Sequence, residues 1–96
     1  MAITRSMACE YSDKGITVNT INPGAIMTPL LVNNVHEAGA TVEDVASVYP
    51  VKRVGQPSEI AEMALFLASD KCRFLTGEWI NIDGGVTIQG AWAGST

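Results

Sequence analysis

A chain of 96 residues, 47% apolar and 17% charged, makes at most one small domain, and its core-forming composition excludes a wholly disordered protein. Six Lys and Arg against ten Asp and Glu leave a net charge of −4, which excludes a general nucleic-acid binder because phosphate neutralisation needs clustered positive charge. No apolar run approaches a membrane span, Met1–Ser6 has no signal-like apolar core, and Cys9 and Cys72 lack a CxxC or a partnering histidine, so membrane, secreted, zinc and disulfide classes give way to a reduced, cytoplasmic setting.

Residues 1–14 are predicted helical. Ile3, Met7 and Tyr11 recur at i, i+4 and i+8 with Ala8 beside them, and Lys14-Gly15 supplies a cation for the last turn and then a C-cap. No Ser, Thr, Asp or Asn caps the start at Met1, so the helix is expected to continue one that begins upstream. Gly15–Asn22 is a predicted strand, rich in β-branched residues and ended by Pro23-Gly24. Its apolar positions do not alternate strictly, as suits a strand covered on both faces of a parallel sheet. Residues 29–56 are broken by Pro29, Asn33, Asn34, Gly39 and Pro50, with short helical pieces predicted around Leu30–His36 and Val42–Val48. Connections of this length often form lids or binding loops.

Residues 57–69 are the clearest helix. Pro57 suits its first turn, and Glu59 sits near its positive end. Ile60, Met63, Ala64 and Leu67 form one apolar face, widened by Leu65, Phe66 and Ala68, so burial against more than one neighbour is expected. Trp79–Ile82 is a short predicted strand ended by Asp83-Gly84-Gly85, and the Gly- and Ala-rich tail with Trp92 is expected to be extended. The order helix, strand, loop with short helices, helix, strand is α/β. Strand–helix–strand implies a parallel pair joined by a right-handed crossover. Two strands make no stable sheet alone, so the chain reads as the last part of an α/β domain.

In open parallel sheets, ligands bind beyond the carboxyl ends of the strands. That place is Pro23-Gly24 and the following Ala25–Thr28. Gly24 permits close backbone approach, and backbone groups at Ala25 and Ile26 suit an amide or a phosphate. The Thr28 hydroxyl offers one donor and two acceptors. The competing account is an ordinary strand-ending turn. His36, the only histidine, has neither a nucleophile nor a second histidine arranged with it and reads as a solvated loop residue. Asp83-Gly84-Gly85 lacks the further acidic ligands of a cation site, so no metal is expected. Cys9 and Cys72 read as unreactive packing residues. Arg53 and Glu59 are expected to pair and brace the loop into the last helix.

The run Gly15-Ile16-x-Val18-Asn19-x-Ile21-x-Pro23-Gly24-x-Ile26-x-Thr28-Pro29 resembles the late part of the short-chain dehydrogenase/reductase family, as does Thr4-Arg5-Ser6-Met7-Ala8-x-Glu10 before it. Pro50-x-x-Arg53-x-Gly55-x-Pro57-x-Glu59-Ile60-Ala61, Phe66-Leu67-Ala68-Ser69, Thr76-Gly77-Glu78 and Asp83-Gly84-Gly85 follow in the family's order. The resemblance implies that residues 1–96 are the C-terminal part of a single Rossmann-type domain with a doubly wound parallel sheet. It implies NAD or NADP as cofactor and hydride transfer between a small-molecule alcohol and ketone. Pro23 and Gly24 would sit beside the nicotinamide, Ile26 would contact its carboxamide through the backbone, and Thr28 would bond the carboxamide or the pyrophosphate. Residues 29–56 match the variable substrate-loop region. There Leu30 and Leu31, with Val32 and Val35, either line an apolar pocket or pack a short helix.

The family's catalytic Tyr-x-x-x-Lys is expected upstream, with its Lys about one helical turn before Met1. Tyr11 and Tyr49 have no Lys four residues on and read as packing or surface residues. The chain alone is therefore expected to be inactive, with no catalytic residue of its own. The resemblance also implies a homo-oligomer, dimer or tetramer. Ile80, Ile82 and Trp92 then meet a partner subunit, or they serve the core and anchor the tail. The alternative function is a non-catalytic short product acting as an oligomerisation or interaction module.

Overall fold

The computed structural model describes residues 1–89, so the expectations for Trp92 and the tail lie outside the described residues. Helix α1 spans Ala2–Tyr11 and runs into a 3-10 turn, Ser12–Lys14, which Gly15 closes at φ 77°. The predicted helix over 1–14 is there, and Ala8 of its expected apolar face is buried together with Thr4. Ile3 is 71% and Met7 40% exposed. Thr4 Oγ1 shares a hydrogen bond with Thr20 Oγ1, and a Cβ on Gly77 would lie 3.5 Å from that of Ala8. Only small side chains fit such a contact.

Strands β1, Thr20–Pro23, and β2, Trp79–Ile82, pair in parallel with Thr20 opposite Trp79 and Pro23 opposite Ile82. The predicted strand from Gly15 starts only at Thr20. Upstream, the chain is held by individual bonds rather than a ladder. Val18 N–H donates to Thr76 Oγ1 (3.0 Å), Gly77 N–H to the Val18 carbonyl (2.7 Å), and the Asn19 side chain to the Leu75 carbonyl (3.2 Å). Strand alternation puts Thr20 and Asn22 on the α1 side and Ile21 on the other. Asn81 Oδ1 accepts from Asn22 Nδ2 and from Trp79 Nε1, both at 3.0 Å, on the α1 side.

Helix α2, Pro29–Glu37, starts at the N-cap Thr28, and α3, Val42–Ser47, starts at Thr41, whose side chain and that of Asp44 cap each other's backbone N–H. Residues 48–56 return as a strap across the carboxyl ends of both strands. Helix α4, Pro57–Leu67, begins with Pro in its first turn and with the Glu59 carboxylate accepting from Gln56 N–H (2.9 Å). Its half-buried Met63 shares a cleft with Ile82, placing α4 on the sheet face opposite α1. Leu65 is 73% exposed, and Phe66 is exposed beside it. The expected second neighbour for α4 is absent among the described residues. Among described apolar side chains only Ala8 and Val54 are buried. Ile80 and Ile82 are half-buried. The Cys72 thiol donates to the Phe66 carbonyl (3.0 Å) at the end of α4, while Cys9 is exposed rather than packed.

Candidate functional site

The site lies where β1 and β2 end. β1 leaves the sheet through Gly24 and β2 through Asp83-Gly84, and the strap covers both exits. Gly24 N–H donates to the Ile82 carbonyl (3.0 Å), the last rung between the strands. A Cβ on Gly24 would stand 2.9 Å from Asp83 Cα and 2.9 Å from Tyr49 Cε2, so only glycine fits there. Gly84 holds φ 58°, and a Cβ on it would meet Val51 Cγ2 at 2.6 Å. Both glycines are therefore set by how closely the strap lies on the strand ends.

After Gly24 the chain stays extended and pairs with the strap through a single parallel bridge, Ile26 to Gly55. Gly55 N–H donates to the Ala25 carbonyl (2.9 Å), and Met27 N–H donates to the Gly55 carbonyl (2.9 Å). This fixes the direction of two peptide planes. A trans peptide points its C=O and N–H opposite ways. The Ala25 carbonyl faces Gly55, so Ile26 N–H faces away from it. Met27 N–H faces Gly55, so the Ile26 carbonyl also faces away. Ile26 thus presents a donor and an acceptor on one edge, and neither has a partner among the described residues. A primary amide is the complement of such a pair, since it carries one acceptor and two donors.

Ala25 is different from the sequence expectation. Its carbonyl is taken by Gly55, and its N–H donates to the Tyr49 hydroxyl (2.7 Å). The N–H is therefore taken, and the carbonyl is turned toward the strap. Tyr49 is the residue that sequence reasoning missed at this site. The absence of a Lys four residues on excluded one role for it and suggested no other.

The cavity beneath the strap has a volume of about 150 Å³ and is lined by Gly24, Ile26, Tyr49, Arg53, Glu59 and Asp83, among others. A site for a whole small molecule is typically at least roughly 300 Å³. The cavity is therefore too small to hold a whole small molecule. A larger hollow of about 690 Å³ lies at the amino ends, by Gly15, Arg73 and Phe74. Open parallel sheets do not bind ligands at that end.

Charge at the rim is fixed by one ion pair. Arg53 Nη1 and Nη2 donate to Glu59 Oε1 and Oε2 at 2.7 and 3.0 Å, the expected brace between loop and helix. The Arg53 guanidinium, and then Gln56 N–H, hold the Glu59 carboxyl down at about 2. Asp83 is held below the usual carboxylate range, first by the Thr87 hydroxyl and then by the N–H groups of Gly85 and Thr87. It closes the turn after β2.

The remaining predicted site residues lie further out. Pro23 is the exposed last residue of β1. Thr28 Oγ1 accepts from Leu31 N–H (3.2 Å) as the N-cap of α2, which leaves its proton and one lone pair for another partner. Leu30, 69% exposed, and the half-buried Leu31 follow on α2 and do not line the cavity. Among the described residues there is no group of three or more His, Cys, Asp or Glu side chains placed to hold a metal ion, and no helix is long and apolar enough to cross a membrane.

A family model described as "Enoyl-(Acyl carrier protein) reductase" matches residues 1–87. The cyclohexanol dehydrogenase of an Acinetobacter species is 40% identical over 87 residues, covering 91% of this chain and 32% of that protein. The crystal structure of a short chain dehydrogenase family protein from Francisella tularensis superposes with a TM-score of 0.83 at 37% identity, covering 90% of this chain and 39% of that one. ElxO with NADP bound superposes with a TM-score of 0.80 at 31% identity, covering 90% and 35%. The chain spans about a third of the length of the curated relatives it matches, from 29% to 33% of the first three. Its helices and parallel strands are thus part of a Rossmann-type doubly wound sheet. From the helix before β1 to the turn after β2, motif order, family match and superposition agree, and the chain belongs to the short-chain dehydrogenase/reductase family.

Proposed function

We propose that this chain is the C-terminal part of an NAD- or NADP-dependent oxidoreductase that interconverts a small-molecule alcohol and ketone. The observation that carries this reading is the outward N–H and C=O pair of Ile26 at the carboxyl end of β1. The nicotinamide carboxamide matches that pair group for group. When bound, the dinucleotide supplies or accepts the hydride. This chain's residues do the rest of the work on its side of the site. Ile26 orients the ring, Gly24 lets Tyr49 and Asp83 pack against the strand exit that carries it, and the Thr28 proton reaches the carboxamide or the pyrophosphate. Leu30 and Leu31 on α2 offer apolar surface to the substrate. The relatives support the class: one is a cyclohexanol dehydrogenase, and ElxO binds NADP.

In this reading the acid/base Tyr and its Lys are not among these 96 residues. The test is spectrophotometric turnover with a secondary alcohol or ketone and either dinucleotide. The protein at its full coded length turns over, and the purified 96-residue chain does not. Turnover by the short chain alone overturns the division of labour. Absence of dinucleotide-dependent turnover in the longer protein, across a panel of alcohols and ketones, overturns the enzyme reading. A second reading draws on the exposed Ile3, Leu65 and Phe66. These would seat against a second copy in a homo-oligomer, or make the chain an interaction module. A discrete oligomer mass with no turnover at any length favours that reading.

A further inference from the structure

The strap carries one side chain that reaches across both strand exits. The Tyr49 ring lies where a Cβ on Gly24 would stand (2.9 Å from Cε2) and where one on Gly84 would stand (3.3 Å from Cδ2). Its hydroxyl accepts from Ala25 N–H at 2.7 Å. The main chain of Tyr49 is held as well, its carbonyl accepting from Lys52 N–H (2.9 Å) in a tight turn that places Lys52 at φ 61°. A non-glycine residue in that region is uncommon and persists where the surroundings hold it. The clasp is therefore built, and does not simply rest against the turn.

We propose that Tyr49 is a positioning residue for the nicotinamide side of the site, its hydroxyl fixing the Gly24–Ala25 peptide so that Ile26 presents its backbone pair at a set angle. The Ala25–Ile26 and Ile26–Met27 peptides are pinned by Gly55, and the Tyr49 hydroxyl pins the one before them. Three successive peptide planes are fixed, two by the strap's backbone and one by a side chain. The third is the only one that a substitution can release without removing a residue's backbone. Tyr49 touches no reacting atom in this account. The inference rests on the reading that Ile26 meets the carboxamide, so its test separates the two.

The variant is Tyr49→Phe in the protein at its full coded length, which keeps the ring against Gly24 and Gly84 and removes only the acceptor. Binding is measured by calorimetry with two probes: the reduced dinucleotide that the wild type prefers, and the matching ADP-ribose, which lacks the nicotinamide. The variant is expected to bind the dinucleotide about fivefold more weakly, the scale of one lost hydrogen bond, with ADP-ribose unchanged. Equal loss for both probes means a general loosening and overturns the inference, as does unchanged binding of both. If the wild type itself binds the dinucleotide no better than ADP-ribose, the underlying carboxamide reading fails instead.

Discussion

Gly24→Ala tests how closely the site is built. The new Cβ would stand 2.9 Å from Asp83 Cα, 2.9 Å from Tyr49 Cε2 and 3.1 Å from Asp83 Cβ. Carbon atoms sit comfortably at about 3.5–4.0 Å, so the two closest contacts are more than about half an ångström too short and the third is also tight. The Tyr49 ring has some freedom to tilt, but Asp83 Cα is backbone and can move only with β2. Parting the strands there lengthens the Gly24 N–H to Ile82 bond, now 3.0 Å, and a tilting ring pulls its hydroxyl off Ala25 N–H, now 2.7 Å. Overpacking with the weakening of one such bond gives a destabilisation of about 2–4 kcal/mol. Gly39→Ala is the control. Its Cβ meets nothing within 4 Å, but it must hold φ 73°, which costs about 1–2 kcal/mol and leaves the site untouched. Urea unfolding of the full-length protein measures the stabilities, and dinucleotide titration measures the site. Both variants lose stability, and only Gly24→Ala loses dinucleotide affinity. A Gly24→Ala protein with the wild-type urea midpoint and affinity would refute the close-approach argument.

The Glu59 carboxyl is depressed from 4.5 to about 2 in the folded chain, so its share of stability is present above pH 4.5 and is lost as pH falls from there through about 2. Glu59→Gln is expected to flatten that acid limb in a series of melting temperatures against pH, and an unchanged limb would mean the Arg53 pair does not persist in solution. Thr28→Ala removes the α2 N-cap and is expected to cost about 1 kcal/mol, whereas Thr28→Asn keeps a capping oxygen and costs little. If Thr28 also reaches the dinucleotide, both variants weaken its binding, and a Thr28→Asn protein with wild-type affinity leaves the hydroxyl as a cap alone.

Much of the fold was legible because strong local signals agreed with the tertiary structure. Pro57 with Glu59 marks the start of α4, and Lys14-Gly15 marks the end of the first helical segment. Trp79–Ile82 is bounded by the Asp83-Gly84-Gly85 turn. On α1, Ala8 of the expected apolar face was legible, but the close contact of Thr4 with Thr20 and of Ala8 with Gly77 was not, because that distance is a tertiary quantity. The start of β1 was misplaced for a related reason. Propensity favours strand from Gly15, but a ladder needs a partner, and residues 75–78 offer side-chain and single backbone bonds instead. At the site, Pro23-Gly24 and Ile26 were visible as a strand exit. Tyr49 was not, because its role depends on the strap folding back over 24 residues of chain to meet Ala25. The same fold-back removes the Ala25 N–H from the set of groups that a ligand can use.

The most direct measurement is a crystal structure of the full-length protein with its nicotinamide dinucleotide bound. The account predicts the carboxamide within hydrogen-bond distance of both the Ile26 N–H and the Ile26 carbonyl, with the ring beside Pro23-Gly24 and the Tyr49 hydroxyl still on Ala25 N–H. A nicotinamide ring outside hydrogen-bond reach of Ile26, with that backbone pair facing solvent or another part of the protein, would contradict it.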